Sequence, residues 1–107
     1  MIQKIVLHVV HKYKYKKNMK KIVKFWGAGC MPCMMYAPIF DKVSTELSNL
    51  EDVEFLNIDA RNDNTGLTQL LGIRSIPQTF VLDEDNNILK QKTGMMDENT
   101  LKDFIMN

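Results

Sequence analysis

Both cysteines of this chain, Cys30 and Cys33, stand two residues apart in the run Trp26-Gly27-Ala28-Gly29-Cys30-Met31-Pro32-Cys33. Thiols at this spacing can close a disulfide with little backbone movement. They lie between a β-rich run and a helical pattern, so Cys30 falls where a helix begins. Unpaired N–H groups and the positive end of the helix dipole stabilise a thiolate there, and thiolates attack disulfides. A dithiol redox centre is therefore the leading reading. The Cys-x-x-Cys tetrapeptide by itself equally fits half of a zinc site or a pair of inert buried thiols.

The elements that must hold these thiols are bounded by composition. At 107 residues, with 45% hydrophobic and 25% charged residues, the chain supports one ordinary globular domain with its own core. Two cysteines cannot frame a disulfide-stapled secreted domain, and no apolar run approaches membrane-spanning length. Residues 5–10 are apolar apart from His8, but the basic cluster follows them and no small-residue cleavage site appears. A signal peptide is not expected on that pattern, and a cytoplasmic location is. Charge is uneven: residues 1–40 carry eight lysines and no acid, and residues 41–107 carry six basic and thirteen acidic residues. The run His11-Lys12-Tyr13-Lys14-Tyr15-Lys16-Lys17 interleaves aromatics with cations, but one short run without a companion motif reads better as a solvated tail than as a nucleic-acid site.

Punctuation is regular from Lys20 onward. Residues 20–26 form a β-type run, and residues 32–50 read as a helix in which Met35, Ile39, Val43 and Leu47 recur at helical spacing beside Met34 and Phe40. Pro38 should kink that helix. Residues 53–58 are the next strand, apolar enough for a central position in a sheet. Asn62-Asp63-Asn64-Thr65 supplies cap candidates for a short helix ending at Leu71, with Gly72 as a left-handed stop. Residues 79–83 and 88–93 flank the polar turn Glu84-Asp85-Asn86-Asn87, and Asp97 caps a last helix containing Leu101, Phe104 and Ile105. The order β-α-β-α-β-β-α predicts an α/β fold, a mixed sheet with helices on both faces. Residues 1–18 fit this plan poorly and are expected to be an N-terminal extension or an edge strand ahead of a domain spanning 19–107. Met19 would also serve as a start.

With these residues in hand, the chain resembles the thioredoxin family over residues 20–106. The matching pieces are Val23-Lys24-Phe25-Trp26 before the thiols, Ala37-Pro38 in the following helix, Asn57-Ile58-Asp59, Gly72-Ile73-Arg74-Ser75-Ile76-Pro77, and Gly94. The resemblance implies a thioredoxin fold with a reduced N-terminal region and a thiol–disulfide oxidoreductase that works through a mixed disulfide. Carried over by position, Cys30 attacks and Cys33 resolves. Pro77 corresponds to the family's cis-proline, and the backbone of Ile76 would pair with an extended substrate. Trp26, Ile58, Gly94 and Met95 match positions around the contact groove, with Met31 and Pro32 beside the thiols. The implied partners are disulfide-containing protein substrates and a thioredoxin reductase as electron donor. No cofactor, metal, membrane or nucleic acid is expected, and a monomer is.

The chain departs from the family pattern at several positions. Lys24 stands where typical thioredoxins have a buried acid behind the resolving cysteine, and Phe55 stands where the lysine partner of that acid would be. A buried ammonium without a partner is costly and its pKa falls. Charged, it would favour thiolate; neutral, it could accept a proton; snorkelling to the surface, it would do neither. Gly29 replaces the family's tryptophan and Met31 its glycine, altering the recognition surface. Of the methionines nearby, Met35 is expected in the core and Met31 and Met95 outside it. Three rival readings stay open: a glutathione-linked glutaredoxin-like enzyme, a zinc module built from His8, His11, Cys30 and Cys33, and a non-catalytic partner subunit using the same groove.

Overall fold

A computed structural model describes residues 19–50 and 52–107. Four strands are present, β1 (Lys20–Trp26), β2 (Val53–Asp59), β3 (Gln78–Leu82) and β4 (Ile88–Thr93), with helices α1 (Met31–Glu46), α2 (Leu67–Leu70) and α3 (Glu98–Met106). The order along the chain is the expected one. The strands line up as β2-β1-β3-β4, with β1 parallel to β2 and antiparallel to β3, and β3 antiparallel to β4.

Helices on both faces bury the two central strands, so β1 and β3 read as nearly continuous apolar runs instead of alternating ones. Ile22 of β1 and Val81 of β3 meet Tyr36, Phe40 and Val43 of α1 and Leu101 and Ile105 of α3 on one face. On the other face Val23, Phe25, Phe80 and Leu82 pack with Ile58 and with Leu67 of α2. Among the described residues β2 pairs with β1 alone, and most of its side chains are half-buried. Its apolar content serves packing under α1, where Phe55 meets Phe40 edge to face at 5.9 Å.

Local chemistry ends the elements. The Asp97 carboxylate accepts from Thr100 N–H at 2.8 Å and caps α3. Asp63 accepts from the N–H and hydroxyl of both Thr65 and Thr68, which ties down the loop entering α2. Burial pulls the Asp63 pKa up, but these four donors outweigh it and hold the carboxyl well below its usual range. Gly72 adopts a positive φ of 64° just after α2, the expected left-handed stop. The long helix α1 continues through Pro38 and stops at Glu46, four residues short of the predicted end, with Leu47 as its C-cap.

Candidate active site

Cys30 is the N-cap of α1, with extended backbone, and its Sγ accepts from the N–H of Cys33 at 3.2 Å. No serine, threonine or aspartate opens this helix, so the sulfur itself serves one of the orphan donors. The two cysteines are joined as a disulfide with their Cα atoms 5.2 Å apart, well inside the range a disulfide requires. Cys33 is 3% exposed, while Cys30 is half-buried and borders solvent. Only one of the two sulfurs is thus presented to a partner.

One further chain segment reaches that sulfur, and two others pack against that segment. The Ile76–Pro77 peptide bond is cis, and the Ile76 carbonyl oxygen lies 3.9 Å from Cys30 Sγ. Ile76 precedes β3, which leaves its backbone outside the strand ladder. Gly94 donates its N–H to the Pro77 carbonyl at 2.9 Å, which brings the segment after β4 against the proline. Gly27 completes the fit: a β-carbon there would stand 2.6 Å from Ile76 Cδ1, so the loop before the thiols approaches Ile76 as closely as it does only without a side chain.

The remaining expected residues fall into distinct environments. Met31, Pro32 and Met95 are exposed, and Trp26 is half-buried and lines a cavity together with Cys33. Ile58, expected at the groove, is 7% exposed and packs in the core under α2. Met35 corrects the expectation of a core residue, being 57% exposed. The buried face of α1 is Cys33, Tyr36, Phe40 and Val43, with Ile39 and Leu47 packed at its side, so of the predicted stripe only Met35 falls outside the core. Arg61, not singled out from the sequence, donates to the Ala28 carbonyl at 3.5 Å and so reaches the loop that leads into Cys30. Nothing in the local sequence marks this contact, which depends on β2 lying beside β1.

Lys24 does not snorkel. Its side chain is 1% exposed, over the rings of Tyr36 at 5.5 Å and Phe40 at 5.0 Å. Desolvation lowers its pKa against a weaker upward pull from the Asp41 carboxylate. Tyr36 OH and Thr79 Oγ1 hydrogen-bond at 2.8 Å nearby. Lys24 and Cys33 both line one cavity of about 370 Å³ beside the disulfide. His8 and His11 lie outside the described residues, among which no group of three metal-ligating side chains occurs.

A solvent-facing sulfur at a helix N-terminus, paired with a buried one, defines a dithiol–disulfide exchange protein. The thioredoxin family profile matches residues 6–107, and the chain belongs to that family. It is 36% identical over 90 residues to a thioredoxin of Rickettsia felis, covering 84% of this chain and 82% of the relative. It is 37% identical over 84 residues to a thioredoxin of Buchnera aphidicola, covering 78% and 74%. Among solved structures, the fold is similar to that of StoA from Bacillus subtilis, with a TM-score of 0.69 at 25% identity over 83% of this chain and 84% of that one. A malaria parasite thioredoxin-2 shares the fold at the same TM-score and 22% identity, covering 82% of each chain. This chain is accordingly a thiol–disulfide oxidoreductase that reduces disulfides through its Cys-x-x-Cys pair. Among the described residues no helix is long and apolar enough to cross a membrane.

Proposed function

We propose that Cys30 is the nucleophile and Cys33 the resolving thiol of a cytoplasmic, monomeric protein-disulfide reductase. The single observation that carries this assignment is the unequal exposure of the two sulfurs, with the Cys33 N–H directed at Cys30 Sγ. That N–H and the α1 N-terminus favour negative charge on Cys30. In the reduced enzyme the Cys30 thiolate attacks one sulfur of a substrate disulfide, forming a mixed disulfide and expelling the first substrate thiolate. Cys33, once deprotonated, attacks Cys30 Sγ and expels the second. The enzyme is left as the Cys30–Cys33 disulfide, and two electrons from a thioredoxin reductase return it to the dithiol.

Substrate lies across Met31, Pro32, Pro77, Gly94 and Met95, with Trp26 supporting the floor and Ile58 acting from beneath as packing. The Ile76 backbone, free of the β3 ladder, pairs with the extended segment that carries the target cysteine. Lys24 tunes the proton balance at Cys33, since both line the same cavity. The cytoplasm suits this reading because thiols are kept reduced there.

Trapping tests the order of attack. A Cys33→Ser variant is expected to accumulate mixed disulfides with substrate proteins on non-reducing gels, and Cys30→Ser to form none; adducts from Cys30→Ser alone would reverse the assignment. For Lys24, a redox titration of the Cys30/Cys33 pair in the wild type and in Lys24→Asp is expected to give different midpoints. Identical midpoints remove Lys24 from the thiol chemistry.

A further inference from the structure

We propose that the cavity beside Cys33 is a binding site for a small monocarboxylate with an apolar body, held by Lys24 as its counter-cation. At about 370 Å³ the cavity is within the size range that holds a small ligand. Trp26, Ala28, Met34 and Ala37 give it largely apolar walls, and Asn57 adds a neutral polar group.

Lys24 gives this space its chemistry. Among the described residues its ammonium makes no ion pair and no hydrogen bond; the rings of Tyr36 and Phe40 are its close neighbours, and the Asp41 carboxylate acts on it only through space. Ring faces return only part of what an ammonium loses on leaving water. A carboxylate entering the cavity supplies a charge-assisted hydrogen bond to it, and an apolar body covers the walls. Lys24 is the one cation among the lining residues, so the site matches a single negative charge better than a phosphate or sulfate dianion. A ligand so placed touches the resolving sulfur and leaves Cys30 open.

The full chain in its disulfide form, labelled with ¹⁵N, is titrated with phenylacetate and separately with phenylacetamide, its neutral counterpart. Saturable amide shifts are expected at Gly27, Ala28, Ala37 and Asn57 with a dissociation constant on the order of 1 mM, and at least about tenfold weaker binding of the amide. Lys24→Met, which keeps the apolar bulk of the side chain, is expected to lose saturable binding of the acid. Equal binding of acid and amide overturns the proposal, as do shifts that saturate outside the cavity, the absence of any saturable shift, or unchanged affinity in Lys24→Met. Should that variant fail to fold, the comparison of acid with amide on the wild type decides alone. No turnover is involved, so failure here leaves the reductase reading intact.

Discussion

The two faces of the sheet are built from the same strands to different ends. Beneath α2, Val23, Phe25, Ile58, Leu67, Phe80 and Leu82 form an apolar cluster, with Phe25 and Phe80 edge to face at 5.6 Å and Gln78 the buried polar residue on the same face of β3. Beneath α1 and α3 the same strands bury Lys24 and Thr79 among apolar side chains, and α1 contributes Tyr36 and Cys33. Strand alternation sends Val23 and Phe25 one way and Ile22 and Lys24 the other. One face is therefore built mainly of apolar side chains, with Ile76 of the site packed against it, and the other accepts desolvated polar groups where they adjoin the disulfide.

Breaking the apolar face should have the largest effect on folding and little effect on thiol chemistry. Phe80→Ala is expected to cost about 3–5 kcal/mol, the range for truncating a buried aromatic, measured by urea unfolding followed through Trp26 fluorescence. Its folded fraction should keep the wild-type potential of the Cys30/Cys33 pair. A shifted potential would show that the two faces are not separable.

The polar face should behave in the opposite sense. Lys24→Met removes the charge of a buried lysine while keeping its bulk, and is expected to stabilise the protein at neutral pH by about 1–4 kcal/mol, the range for replacing buried ion pairs by apolar groups. The pH dependence supplies the sharper check. Burial lowers the folded-state pKa of Lys24 below its ordinary 10.5, so between those two values the unfolded chain carries a proton that the folded one does not. Stability then rises with pH across that window. The advantage of Lys24→Met should be greatest at neutral pH and shrink toward 10.5. A pH-independent difference would mean that Lys24 keeps its proton in the folded protein.

The same contrast explains what the sequence revealed. Features carried by local chemistry were legible: the strand–helix order, the Asp97 cap, the left-handed Gly72, the polar hairpin turn and, through the family motif, the cis bond before Pro77. Features set by packing between distant segments were not. Met34 and Met35 are as apolar as Tyr36 and Phe40, so hydrophobic spacing alone could not tell which side of α1 near the thiols faces the sheet; contacts with β1, β3 and α3 decide that. The parallel pairing of β2 with β1 joins segments distant in sequence, and the reach of Arg61 to Ala28 follows from that pairing. The burial of Lys24 was an open alternative in the sequence because a lysine stem can either snorkel or stay, and only α1 lying over β1 decides.

The smallest effect is expected at the hydrogen bond between Tyr36 and Thr79, which tests whether polar groups on this face add stability once they are paired. Tyr36→Phe leaves the Thr79 hydroxyl buried without its partner and should cost about 1–2 kcal/mol. Adding Thr79→Val removes both partners and should recover most of that loss, since two matched apolar groups need no hydrogen bond. Burial raises the Tyr36 pKa above its ordinary 10.0, against the weaker downward pull of the Thr79 hydrogen bond. The unfolded chain therefore ionises first, and stability contributed by the neutral phenol is present below 10.0 and lost as pH rises beyond it. Tyr36→Phe should flatten that alkaline loss in pH-dependent unfolding curves, opposite in sign to the rise from Lys24. If Tyr36→Phe unfolds along the wild-type alkaline limb, the phenol is open to water and the polar face is wetter than its packing implies.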